Sequence, residues 1–100
     1  MQIKAIALAI AAILLPALAN AVTYSHVESV RVGSKTVVPG DSVDKIADQG
    51  EPDRKIDLIN DFGVKKGEEW IFIRSGGHSA TVLRVNNSGT VFMVLDMLGL

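Results

Sequence analysis

Cysteine is absent from the whole chain, and its absence excludes three classes at once. There is no disulfide framework, no thiol nucleophile, and no cysteine to carry the acyl group of a bacterial lipoprotein. Aromatic residues are scarce, with one Trp, one Tyr and three Phe, and histidine occurs only at His26 and His78. Basic residues do not dominate: ten Lys and Arg stand against eleven Asp and Glu, a net charge of −1. No basic patch invites nucleic acid. The adjacent pair Lys65-Lys66 lies beside Glu68-Glu69 and reads as a solvated loop.

Long apolar runs are also missing. A spanning helix needs about 18 to 20 apolar residues, and the one candidate, Ala5 to Leu15, is stopped by Pro16. What it fits is a cleavable secretory signal peptide. Lys4 is the positive n-region, Ala5 to Leu15 the h-region, and Ala19 and Ala21 the small residues that a signal peptidase pocket accepts. The expected cut follows Ala21, with Ala19 as the alternative. Residues 1–21 are then a leader and residues 22–100 an exported chain, expected in the periplasm or secreted, with no stable membrane anchor. Loss of Lys4 takes the net charge from −1 to −2. What remains suffices for one domain with a modest core. So small a domain without staples gains from a partner or from self-association.

Residues 22–29 are polar and aperiodic apart from Tyr24 and read as a loose N-terminal arm, with a single domain over 30–100. Val30 to Val38 has strand character, with a turn or bulge at Gly33-Ser34, and Pro39-Gly40 ends it. Asp41-Ser42 stands in capping position before a two-turn helix whose buried stripe is Val43, Ile46 and Ala47. Gly50 and Pro52 close that helix. Too short to persist alone, it needs a sheet to pack on. Arg54 to Phe62 carries both strand and helix spacings, and strand or extended chain is preferred. Glu69 to Arg74, Ser79 to Val85 and Thr90 to Leu95 are strands separated by Ser75-Gly76-Gly77-His78 and Asn86-Asn87-Ser88-Gly89. The expected class is α+β: short helix or helices on one face of a three-stranded antiparallel meander, with an additional N-terminal strand or hairpin.

The order of Gly40-Asp41-Ser42, a helix bearing Ile46, Gly50-Glu51-Pro52, Trp70-Ile71-Phe72, Leu83-Arg84-Val85 and Asn87-Ser88-Gly89 resembles the pattern of the SmpA/OmlA (BamE-like) superfamily. The structural motif is carried by Gly40, Ser42, Ile46, Gly50, Pro52, Trp70, Phe72, Leu83 and Gly89. Nearer still are small secreted bacterial proteins of that fold whose opening runs aromatic-Arg-Cys-Gly and whose helix ends in Cys-Gly-Glu-Pro. Val32 and Gln49 stand at those two cysteine positions here. The resemblance implies a cell-envelope domain that binds other macromolecules and is not an enzyme. It implies a protein-binding or scaffold role like that of outer-membrane assembly factors. The alternative is a periplasmic inhibitor or chaperone-like binder of an envelope enzyme. The partner is an envelope protein or a second copy of the chain.

Chemistry-bearing residues add little. The two histidines are far apart in sequence, and Ser75, Ser79 and Ser88 lack a nucleophile-elbow context. Asp41, Asp44 and Asp48 recur along the short helix, but the first two complement its N-terminal dipole and no calcium loop is spelled. Asn86-Asn87-Ser88 matches a glycosylation sequon in a turn that favours Asn for backbone reasons. No catalytic residue, metal ligand or cofactor is expected. One feature stands out. Trp70, Ile71, Phe72 and Ile73 are apolar on both faces of their strand, Ala80 and Val82 lie beside Ile71 and Ile73, and the chain ends Met97-Leu98-Gly99-Leu100. Ile71, Ile73, Ala80 and Val82 are therefore the candidate interface, unless another segment covers that face.

Overall fold

The computed structural model describes residues 22–99. The leader, with its Ala19 and Ala21 cleavage residues, lies outside the described residues. Seven strands follow in chain order: β1 (Thr23–His26), β2 (Val30–Val32), β3 (Lys35–Val37), β4 (Arg54–Ile59), β5 (Lys65–Ile73), β6 (Ser79–Asn86) and β7 (Val91–Leu98). Between β3 and β4 runs a 3-10 helix, Val43–Gln49. Five strands form one antiparallel sheet in the order β1-β7-β6-β5-β4, and β2-β3 form a separate hairpin.

This corrects the expected α+β class. The described chain is mostly β, and among the described residues the one short helix contributes a single buried residue to the meander's cover. Its β5-β6-β7 core is widened by an edge strand on each side, and the β2-β3 hairpin packs on it. The physical reason is where the apolar residues lie. Val30, Val32 and Val37 of the hairpin are all buried, whereas the helix buries Ile46 alone.

The helix also differs in type. A 3-10 helix has three residues per turn, so side chains three apart are eclipsed. Val43 and Gln49 are half-buried, Ile46 is buried, and the residues between them are exposed. Ala47, expected in the buried stripe, is therefore at the surface. Ser42 caps the helix as expected, its Oγ accepting the Asp44 N–H at 3.1 Å, and Gly50 ends it at φ 96°.

The arm expected to be loose is partly a strand. Thr23–His26 adds to the edge of β7, with Tyr24 opposite Met97 and His26 opposite Leu95. Main-chain pairing along an edge does not require apolar side chains, so the polar composition gave no sign of it. The 54–59 segment is a strand, and Met97 and Leu98 belong to β7 rather than to a free tail.

Directly opposed residues in antiparallel strands share a face, so the register sorts the sheet into two sides. Trp70, Leu83 and Val94 lie in one row of the first face. With Val85 and Val91 they meet Val30, Val32, Val37 and Ile46 in the larger core. On the second face Ile71, Val82 and Leu95 form one row, and Ala80 and Met97 another. These five make a second buried cluster, flanked by Met93. The strands are apolar without alternation because both faces carry a core.

Candidate interaction surface

Residues of the motif that are distant in sequence meet at one end of the sheet. The Gly40 N–H donates to the Val91 carbonyl at 2.7 Å, and the Val91 N–H returns to the Asp41 carbonyl at 2.8 Å. Ser42 bridges to Thr90, and the Val43 N–H donates to the Gly89 carbonyl at 2.9 Å. Leu83 and Ile46 are core residues, with Trp70 and Phe72 packed against them. These positions are structural.

The acidic residues of the helix region are occupied likewise. Asp41 accepts the Val38 N–H at 2.9 Å and the Lys45 ammonium at 3.0 Å. Those bonds, the main-chain one foremost, hold its carboxyl below the usual aspartate range. Asp48 is lowered chiefly by the Gln49 carboxamide and then by Lys35. Among the described residues no group of three or more His, Cys, Asp or Glu is placed to hold a metal ion. Nor is any helix there long and apolar enough to cross a membrane.

His26 lies in β1 and His78 in the turn after β5. The Asn86 side chain accepts from the Ser88 N–H and hydroxyl and from the Thr90 N–H, which is the turn role expected of it. The Lys65-Lys66 pair begins β5 rather than lying in a loop. Lys65 is held by Glu68 at 2.9 Å and Asp57 at 3.3 Å, which raise its pKa, the Glu68 bond most. Glu68 also accepts the Trp70 indole N–H at 2.8 Å, and that bond first and Lys65 second keep its carboxyl low.

A groove of about 720 Å³ runs between β2 and the turn end of β5 and β6. Arg31 and Arg74 line it, and so do Glu51 and Asp53, so it carries no excess of either sign. Arg74 is already committed to Asp96 at 2.8 Å, Ser79 at 3.0 Å and Thr81 at 3.1 Å.

Of the four residues singled out as a candidate interface, the structure places Ile71, Ala80 and Val82 inside the second buried cluster. Ile73 alone is open, 45% exposed. The β4-β5 hairpin presents one group of exposed apolar residues, while Val22, Tyr24, Val38, Phe92 and Leu98 are exposed elsewhere. Ile56, Ile59, Phe62 and Val64 are exposed along the hairpin, and Phe62 at its tip is 89% exposed.

That tip is rigidly built. Asn60 Oδ1 accepts the N–H of Phe62 at 2.8 Å and of Val64 at 3.0 Å. The Asn60 N–H donates to the Val64 carbonyl at 3.0 Å, and the Gly63 N–H to the Asn60 carbonyl at 3.0 Å. Gly63 takes φ 78°, open to glycine at little cost. An asparagine bonding its own loop while glycine takes the left-handed position is a turn signature. In the sequence Phe62 stands only as the end of the Arg54 to Phe62 stretch, whose apolar spacings suit strand and helix alike, so its place at an exposed turn is not apparent there.

Comparison with protein-family models, curated proteins and solved structures finds no match to the chain.

Proposed function

We propose that the chain is a small exported, non-catalytic cell-envelope domain that binds another protein through the tip of the β4-β5 hairpin. One observation carries this reading: Phe62 stands 89% exposed on a loop whose main chain is held by the Asn60 side chain. Fully burying a phenylalanine is worth about 1.5–3 kcal/mol, so leaving one in water forgoes that gain until a partner covers it. Aromatic anchors dominate many interfaces, and a preformed loop loses little entropy on docking. Export rests on the leader pattern of residues 1–21, and the envelope role on the SmpA/OmlA resemblance.

Retention of envelope proteins on the immobilised protein tests the reading, with Phe62→Asp as the comparison. The expected result is a defined partner held by the wild type and lost by the variant at unchanged melting temperature. Equal retention by both overturns it. Outer-membrane assembly components as the captured protein support a scaffold role. A periplasmic enzyme captured in stoichiometric amount supports the inhibitor alternative.

A further inference from the structure

Strand β4, Arg54 to Ile59, is an outer strand of the five-stranded sheet among the described residues, paired with β5 on one side only. An unpaired strand edge is a template for another strand, and charged side chains are the usual guard against it. Here Lys55 and Asp57 supply those charges. Each has an exposed partner in its own chain, Glu51 at 3.7 Å and Lys65 at 3.3 Å. Such solvent-exposed pairs are weak enough to leave both charges open to a second copy. Lys55 and Asp57 share the first face of the sheet, while Arg54, Ile56 and Leu58 share the second. Two copies brought edge to edge about a two-fold axis place β4 antiparallel to itself.

Only alternate residues of a strand turn their N–H and C=O toward a given edge. Residues facing each other across the two-fold must therefore be an even number of positions apart, which leaves few registers. Centring on Lys55 opposes lysine to lysine and leaves half the strand unpaired. Centring on Asp57 opposes aspartate to aspartate. Centring on Ile56 opposes Ile56 to Ile56 on the second face and Arg54 to Leu58, and it sets Lys55 of each copy against Asp57 of the other. Opposite charges directly across an antiparallel pair attract and like charges repel. The charges that block other long registers thus select one.

We infer that the chain dimerises through β4 in this Ile56-centred register, joining two five-stranded sheets into one of ten strands. The occupant of the edge is a second copy of the chain because β4 is complementary to itself in charge. The inference stands apart from the identity of any partner at the tip. The paired segment ends at residue 58, so both Phe62 loops stay free and the dimer is bivalent. Two linked sites raise avidity without any new contact.

The absence of native cysteine makes single-cysteine tests clean. Opposed residues in such a pair lie about 4.5–5.5 Å apart at Cα, within the about 4.4–6.8 Å range that a disulfide spans. In the otherwise wild-type chain, Ile56→Cys should form a disulfide-linked dimer under mild oxidation, while Phe62→Cys should not. Sedimentation equilibrium should show Lys55→Glu and Asp57→Lys each weakening the dimer by about tenfold. The double variant should restore it, since the swapped charges face each other again. Each variant's melting curve confirms that it is folded. A wild-type chain that stays monomeric, or Ile56→Cys crosslinking no faster than Phe62→Cys, overturns the inference. Failure of the double variant to recover overturns the register.

Discussion

The side-chain oxygen Oε1 of Gln49 accepts the main-chain N–H of Ser34 at 2.9 Å and lies 3.3 Å from its hydroxyl. This ties the last residue of the 3-10 helix to the turn of the β2-β3 hairpin. The hairpin that covers the first face and the helix that adds Ile46 to the same core are thereby joined to each other directly. Gly33, at φ 60°, lies so close that a β-carbon there would collide with the Gln49 side chain. Gln49→Ala should lower stability by about 1 kcal/mol, the net worth of an ordinary hydrogen bond. Urea unfolding should show a lower midpoint at unchanged slope.

Gly67 has a stronger requirement. A β-carbon at this position would fall inside the envelope of the Val85 main-chain oxygen, and backbone cannot swing aside as a side chain can. Gly67 opposes Leu58 on one side and Asn86 on the other, each beside an irregularity in the pairing, at Leu58/Ile59 and at Arg84/Val85. Gly67→Ala should cost about 1–3 kcal/mol or more, as overpacking does. Thermal melts of this variant beside Gly63→Ala, in the open loop, check it: Gly63 pays only for its φ, so it should lose less.

Acid should loosen the joint where Asp41 holds Val38 and Lys45. The folded-state pKa of Asp41 is depressed, so the stabilisation is present above the ordinary carboxylate range and is lost as pH falls through the folded value. Asp41→Asn keeps the main-chain contacts with Val91 but has no carboxylate to protonate. Melting temperature recorded from pH 7 down to about pH 2 should fall less steeply in the variant than in the wild type below the carboxylate range. Parallel acid limbs would contradict this.

The core strands were legible in the sequence and the periphery was not. Val82-Leu83-Arg84-Val85 and Val91 to Leu95 carry enough apolar residues to fill both faces, so β6 and β7 announce themselves. Thr23 to His26 has no such pattern, because what holds it is the main chain of β7. Val43 and Ile46, three apart, suit an α-helix and a 3-10 helix equally. Only the burial of Gln49 in place of Ala47 separates the two, and that depends on the hairpin turn it touches. The Gly33-Ser34 turn was visible, but the fact that its strands, more than the helix, cover the meander depends on tertiary packing. At the candidate site, apolar character drew attention to Ile71 and Val82, which are buried. Phe62 was less conspicuous, since its importance lies in the Asn60 turn that holds it out.

The proposed function makes Phe62 the anchor for a partner. Replacing Phe62 with a photo-crosslinking phenylalanine analogue in living cells, with the same substitution at exposed Asp44 as the control, tests this most directly. The predicted result is one discrete adduct at position 62, containing an envelope protein and absent from position 44. No adduct at 62, or the same diffuse products from both positions, would contradict it.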